Sequence, residues 1–389
     1  MRFLPVPGAR PPPVPAERLR PVHAALAVVI LVTLLAGVRG AVRVHTERAD
    51  RLDPATAAVI GELQAFVEAT RGLRFREPVD VSVVGDAAFR RFLSGGRPTE
   101  QSDVEVANGV LRALGLLPAA DRQGPGGELD PDTVAGFYDT ETKELVVRGT
   151  ELTPFVRQVL VHELTHALDD QYFDLDPAFV DDEAAMAFEA LVEGDAVVVE
   201  SRYLASLPEA ERQAAAAEEE STFADAGRGI PGIVAELGAF PYRDGPRLVA
   251  ALLAAGGPGR LDAAFRSPPV SSAEILHPER FLDGPGRAGV PPVRADGRVV
   301  NEGVLGEVIL RLVLAGSLPR DRAAVAAAGW AGDRYVAWSA GARTCLRATV
   351  VMDNGAEAAE LAAGLRQWAG ATVDPVTVRP PAVTFTRCA

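Results

Sequence analysis

Residues 159–168 read VLVHELTHAL, a run that is apolar or uncharged apart from His162, Glu163 and His166. Histidines four residues apart in a helix lie on one face and differ in height by about 6 Å, so both imidazoles can reach one cation. Neutral imidazole suits Zn²⁺, and a catalytic zinc site keeps one position open for water. Glu163 is placed to take a proton from that water. The stretch therefore predicts a zinc site with His162 and His166 as ligands and Glu163 as general base.

Histidine is rare in this chain, which strengthens the prediction. There are five in 389 residues, and beyond residue 50 they are His162, His166 and His277. A short motif still carries a risk of chance occurrence, and the alternative is a pair of core histidines that only satisfy hydrogen bonds. A structural zinc would need four protein ligands, but Cys345 and Cys388 lie far away in sequence. The pattern therefore favours a catalytic site over a structural one.

A third ligand is expected on a second helix, at residues 188–199, which read FEALVEGDAVVV. A buried carboxylate is costly unless it is paired or bound to a metal, and carboxylates interrupt this apolar run. Glu193 is the predicted ligand, because the glycine after it permits close approach of a neighbouring helix. Glu189, on the same face, is the alternative ligand, or it orients a ligating histidine. Asp195 and Glu200 are expected to be ordinary polar positions, with an orienting role left open for Asp195.

A His-Glu-x-x-His helix followed by a second helix carrying Glu-Gly-x-Ala resembles the gluzincin branch of the zincin metallopeptidases, to which thermolysin belongs. The resemblance covers roughly residues 79–203. It implies an α+β fold, with a zincin-like catalytic domain built from the active-site helix and a small mixed sheet. It also implies Zn²⁺ held by His162, His166 and Glu193, with Glu163 as general base in the hydrolysis of peptide bonds.

The resemblance further implies that an edge strand holds the substrate backbone, here from the hairpin at 136–147. Thermolysin-like enzymes carry an Asp four residues after the ligand Glu, where this chain has Val197. The chain is therefore more similar to compact, membrane-linked bacterial gluzincins. Its C-terminal segments 271–281 and 329–335 resemble uncharacterised bacterial metallopeptidases.

Hydrolysis also needs a hydrogen-bond donor for the negative charge that develops on the substrate oxygen. The candidates are His277, Tyr242 and Tyr138. The alternative for His277 is a hydrogen-bonded structural role. Two other functions fit the same residues: an exported metal-containing binding or assembly module without turnover, and a zinc amidase acting on cell-wall peptides.

The first 50 residues differ from the rest in charge and hydropathy. A basic, proline-rich leader at 1–20 precedes an apolar segment at 21–40, which predicts a single-pass anchor in the cell membrane with a cytoplasmic leader and an exported body. A cleaved signal peptide, giving a secreted protein, is the alternative. The net charge is −14 and residues 1–50 are basic, so the acidic charge lies in the body. An acidic body of this kind excludes nucleic acid as a partner.

The body is predicted to contain a zincin-like metallopeptidase domain at 50–225 and an α+β C-terminal region at 226–389. Residues 229–292 are expected to alternate short helices with Gly/Pro turns, because glycine and proline recur through them. Cys345 and Cys388 lie in two strand-like runs. A disulfide between neighbouring strands and two free thiols are both open.

Overall fold

The computed structural model describes residues 53–93, 101–118, 133–224, 232–284, 286–370 and 376–389. They form an α+β fold with a three-stranded and a five-stranded sheet, which confirms the predicted class at that level. The predicted leader at 1–20 and the apolar segment at 21–40 lie outside the described residues.

The predicted single-pass membrane location is corrected. No helix in the described part of the chain is both long and apolar enough to cross a membrane. Two described helices reach 25 residues, but charged side chains such as Glu200 and Arg243 interrupt them, and such groups are expensive in lipid. The membrane location and the exported body inferred with it are withdrawn.

The first part of the described chain builds a helix and the small sheet. Asp53 caps the first helix by accepting hydrogen bonds from two backbone N–H groups of its first turn. The elements in order are α1 (Pro54–Arg71), β1 (Asp80–Val84), α2 (Asp86–Leu93), α3 (Gln101–Ala113), β2 (Gly136–Tyr138) and β3 (Glu144–Arg148). The sheet order is β1-β3-β2, with β1 parallel and β2 antiparallel to β3. The strand β2 therefore lies at an edge.

Two buried helices follow, α4 (Pro154–Phe173) and α5 (Asp182–Ser206). Thr153 caps α4 by accepting from the N–H of Val156, and Pro154 occupies the first helical position, where no N–H is needed. Asp181 caps α5 in the same way. Other elements cover nearly all of α4 and most of α5, as expected for helices without a wide polar face. An exposed, charged helix, α6 (Glu209–Thr222), comes next.

The expectation of short helices at 229–292 is wrong in its first half. Residues there form one 25-residue helix, α7 (Gly232–Gly256), with Pro241 and Pro246 inside it. A proline removes a backbone donor and normally ends a helix, which is why the sequence predicts breaks. Here the burial of α7 against its neighbours keeps the helix continuous. The short helices after it are α8 (Pro258–Arg266), α9 (Ser272–Leu276) and α10 (Pro278–Asp283).

The C-terminal part forms the larger sheet, with helices on one side. Its elements are β4 (Arg298–Gly303), α11 (Gly306–Ala315), α12 (Arg320–Ala327), β5 (Trp330–Ala340), β6 (Arg343–Met352), α13 (Gly355–Ala369), β7 (Thr377–Arg379) and β8 (Ala382–Cys388). The order is β4-β5-β6-β8-β7, antiparallel throughout. Cys345 and Cys388 are paired across β6 and β8 and form a disulfide. Closing this loop stabilises the fold by about 4 kcal/mol on the chain-entropy model.

Two large apolar clusters hold these elements together. The smaller one lies between α1, the three-stranded sheet and α4. The larger one joins α5 and α7 to the helix-covered face of the five-stranded sheet, and its members include Leu191, Leu237, Leu314 and Phe385. Residues on both sides of position 225 thus share one core. The division into a domain at 50–225 and a region at 226–389 stays a prediction.

Candidate metal centre

The predicted ligands come together between α4 and α5. His162 and His166 lie on one face of α4 with ring centroids 4.8 Å apart. The carboxylate of Glu193, on α5, has Oε2 at 3.1 Å from Nε2 of His162 and at 3.5 Å from Nε2 of His166. One donor atom from each of the three residues lies within 4.8 Å of the others, and all three residues are buried. This arrangement can hold a metal ion.

The hydrogen bonding of His166 is consistent with a cation at this position. Neither of its ring nitrogens has a hydrogen-bond partner among the described residues, although both are buried. The contact of its Nε2 with Glu193 is close enough for an ion pair but does not have hydrogen-bond geometry. A buried polar atom without a partner costs about 1–3 kcal/mol. A metal ion on Nε2 would remove this cost at one of the two nitrogens.

The local electrostatics also favour a positive charge. Burial by itself would raise the pKa of Glu193, but His166 and His162 outweigh it and lower that pKa to about 2. For His162, burial by itself would lower the pKa, but hydrogen bonds to Glu193 and Glu200 raise it well above its ordinary value. The carboxylates thus make the space between the two helices attractive to a proton or a metal cation.

His162 is oriented by Glu200, a residue expected from sequence to be an ordinary polar position. Oε2 of Glu200 lies 3.0 Å from Nδ1 of His162, and Oε1 accepts a hydrogen bond of 2.7 Å from Gln158. A carboxylate on the far nitrogen fixes the ring and its tautomer. Glu200 follows Glu193 by seven residues, two helical turns on the same face. That spacing is the signal that was available in the sequence.

Glu189, the predicted alternative for this orienting role, has a different environment. It is buried, and one of its carboxylate oxygens has no hydrogen-bond partner within the described part of the chain. Burial, and then the nearby Glu193, raises its pKa well above the ordinary value. The structure places Glu189 close to the ligand carboxylate but gives the contact with the histidine to Glu200.

Asp195 contacts an arginine that links three helices, and not a histidine. Its Oδ2 lies 2.7 Å from Nε of Arg71, whose Nη2 also lies 2.8 Å from Oδ1 of Asp169. All three side chains are almost fully buried. Burial opposes the charge of Arg71, but the carboxylates outweigh it and raise the pKa of Arg71. Because Asp169 is on α4 and Asp195 on α5, this arginine of α1 ties the two ligand helices together.

Glu163 lies against β2, the edge strand of the small sheet. It is buried, and the backbone N–H of Tyr138 on β2 is near enough to its carboxylate to favour the charged form. Burial raises the pKa of Glu163, although His162 and His166 oppose the shift. A buried carboxylate with a raised pKa, next to two metal-ligand candidates, has the properties expected of a general base.

The three candidates for the transition-state donor lie in different places. Tyr242, on α7, stacks on His162 with centroids 6.1 Å apart and an interplanar angle of 15°. Burial, followed by the nearby carboxylates Glu193, Glu189 and Glu163, raises its pKa. The hydroxyl of Tyr138 donates to Asp170 instead.

His277 belongs to another network. Its Nε2 lies 2.9 Å from Oε1 of Glu307 on α11 and 3.3 Å from Nη2 of Arg311. These contacts are those of a hydrogen-bonded structural histidine, the alternative to a donor role. Of the three candidates, the structure brings Tyr242 to the metal-ligand group.

Comparison with known proteins bears on the C-terminal part of the chain. Residues 294–385 match a family described as a domain of unknown function, DUF8575. No curated protein and no solved structure matches the chain. The matched residues run from the loop before β4 into β8 and come after both ligand helices in sequence. His162, His166 and Glu193 therefore lie outside the matched segment.

Proposed function

We propose that this chain is a zinc-dependent peptidase with a zincin-like catalytic arrangement, in which His162, His166 and Glu193 hold the metal. The observation that supports the proposal best is the convergence of their three donor atoms beside the buried Glu163 and the edge of a sheet. Catalytic zinc sites commonly use two histidines and one carboxylate, whereas magnesium and calcium prefer sites built from oxygen alone. The donor set therefore favours zinc.

When bound, zinc supplies a Lewis acid that polarises the substrate carbonyl and makes a water molecule more acidic. Glu163 takes a proton from the attacking water and later delivers it to the leaving amine. Glu200 holds the ring of His162, and Arg71 holds the two ligand helices at a fixed separation. The hydroxyl of Tyr242 is the donor available to the substrate oxygen as negative charge develops there.

The position of β2 bears on the substrate class that we propose. This strand pairs on one side with β3 and is the edge of its sheet, and its Tyr138 N–H reaches Glu163. An extended peptide that added itself to such an edge would bring its backbone to the general base. A peptide or protein is therefore the substrate that we propose.

The test is metal analysis of the purified full chain, together with hydrolysis of a mixed set of fluorogenic peptides. Glu163→Gln should keep its zinc and lose turnover by about 10²–10⁴-fold, the usual worth of general-base catalysis. Glu193→Gln should lose zinc, and with it thermal stability, because a ligand of the folded state stabilises that state. His277→Gln is the matched control and should keep both zinc and turnover.

Equal loss of zinc in Glu163→Gln and Glu193→Gln would show that the two roles are wrongly assigned. A wild-type chain that binds zinc but hydrolyses no peptide would overturn the peptidase proposal. In that case a metal-containing binding module would become the better account.

A further inference from the structure

The hairpin formed by β2 and β3 lies directly on the helix that carries Glu163. A methyl group built on Gly136 would come within 2.7 Å of Cγ1 of Val159 and 3.3 Å of Cγ of Glu163. The strand can therefore approach α4 this closely only because position 136 has no side chain. Two residues further along, the backbone N–H of Tyr138 lies near the Glu163 carboxylate. The position of this strand thus determines the environment of the general base.

One buried carboxylate connects the hairpin to the end of α4. Oδ2 of Asp170 accepts a hydrogen bond of 2.8 Å from the hydroxyl of Tyr138 and one of 2.5 Å from Nζ of Lys143. Its Oδ1 accepts from the backbone N–H of Leu175, just beyond the helix. The side chain of Asp170 is 2% exposed, whereas that of Lys143 is 58% exposed. The carboxylate is therefore buried beneath groups that the hairpin supplies.

The lysine comes from the turn of the hairpin. The turn is closed by the N–H of Lys143 bonding to the carbonyl of Asp139, and Lys143 itself has a φ of 62°. A buried charge is expensive unless an opposite charge and hydrogen bonds compensate it, and both Tyr138 and Lys143 do so here. Lys143 is also the single lysine of the whole sequence.

We infer that Asp170 is a positioning residue: it clamps the β2–β3 hairpin onto α4 through Tyr138 and Lys143, so that the substrate-binding edge stays aligned with Glu163. The inference rests on the proposed peptidase function for its catalytic consequence. The clamp itself is a property of the hairpin and can be measured without turnover. Because Lys143 is exposed and is the one lysine, chemical neutralisation of its amine can release the clamp in the folded, zinc-loaded chain.

The test uses acetylation of the full-length chain with an N-hydroxysuccinimide ester, which forms an amide at Lys143 and at the N-terminus. The acetylated wild type should lose about tenfold in kcat/KM, the worth of one charge-assisted hydrogen bond, with its zinc content unchanged. Lys143→Arg keeps the charge but cannot be acetylated at this position, so its activity should survive the same treatment. Glu141→Gln, an exposed charge change in the same turn, is the matched control and should behave as wild type.

The second readout is hydrogen exchange of the peptide spanning residues 136–148, followed by mass spectrometry. Exchange should become faster in the acetylated wild type and in untreated Asp170→Ala, but not in treated Lys143→Arg or in untreated Glu141→Gln. Unchanged exchange and unchanged kcat/KM after acetylation of Lys143 would overturn the clamp. If the wild type hydrolyses no peptide, the proposed function is overturned, and the exchange measurement still decides on the clamp.

Discussion

His162 and His166 occupy neighbouring turns of one helix but differ in how their rings are held. His162 has a carboxylate on each ring nitrogen, Glu200 on one side and Glu193 on the other. His166 has no hydrogen-bond partner on either nitrogen among the described residues. The protein thus fixes one imidazole by itself, while a bound metal would supply the interaction that holds the second. Loss of Glu200 should therefore weaken binding through His162.

At this scale we predict that Glu200→Gln lowers zinc affinity by about 10–100-fold, the usual effect of losing a carboxylate that orients a histidine ligand. Competition with a chromophoric chelator at fixed pH measures the change. Glu189→Gln is the matched control, since it removes a buried carboxylate from the same helix without touching a histidine, and its affinity should stay within a fewfold of wild type. A larger loss in Glu189→Gln than in Glu200→Gln would reverse the roles.

The helices α5 and α7 are in contact through their backbones. A methyl group on Gly194 would lie 2.4 Å from the carbonyl carbon of Gly245, and one on Gly245 would lie 2.0 Å from the carbonyl oxygen of Ala190. Backbone atoms cannot move aside as a flexible side chain can. The two glycines therefore set the distance between the helix that carries Glu193 and the helix that carries Tyr242.

For this pair of helices we expect Gly245→Ala to lower the free energy of unfolding by about 1–3 kcal/mol, because overpacking forces the helices apart. It should also lower turnover, because Tyr242, the proposed donor to the substrate oxygen, would move away from the site. Urea denaturation gives the first quantity. Gly259→Ala is the control: it lies in α8 with no atom within 4 Å of the added methyl group, and alanine in a helix should be neutral or stabilising by up to about 1 kcal/mol. Similar stability of the two variants would rule out the close contact.

The elements that the sequence predicted correctly are those with a local signal. The four-residue spacing of His162 and His166, and the carboxylate of Glu193 within an apolar run, predicted a group that the structure brings together on α4 and α5. The structure adds what depends on distant segments. Tyr242 reaches the site because α7 stays helical through two prolines, and Arg71 reaches it from α1. Burial against other elements decided both cases, and no local pattern in the sequence encodes it.

At the scale of the whole molecule, two buried acids, Glu183 and Asp333, lie where α5 meets the C-terminal sheet. Glu183, in the first turn of α5, accepts hydrogen bonds from the N–H and hydroxyl of Ser272, at 2.6 and 2.7 Å. Asp333, on β5, accepts from the N–H groups of Leu305 and Gly306 and from the indole of Trp330. Burial raises the pKa of Glu183 to about 8 and that of Asp333 to about 6, against these hydrogen bonds.

This network makes stability depend on pH. Folded Glu183 keeps its proton up to about pH 8, whereas the unfolded chain releases it near the ordinary value of 4.5. The folded state thus binds more protons in this window, so the free energy of unfolding should fall as pH rises from about 5 to 8 and then level off. Glu183→Gln should flatten that fall, by an amount on the order of a few kcal/mol. Urea denaturation of both proteins across this pH range measures it, and equal slopes would contradict the assignment.

The shared core also bears on how such a chain can be recombined in evolution. Glu193 of α5 belongs to the candidate metal centre, while Phe188 and Leu191 of the same helix belong to the apolar cluster that includes the five-stranded sheet. Another segment in place of residues 294–385 would therefore need an apolar surface that packs against α5 and α7. Substitutions in residues 294–385 are expected to be tolerated where they preserve this packing. The packing around Glu193 would in this way constrain a sheet that, among the described residues, contributes no ligand candidate to the site.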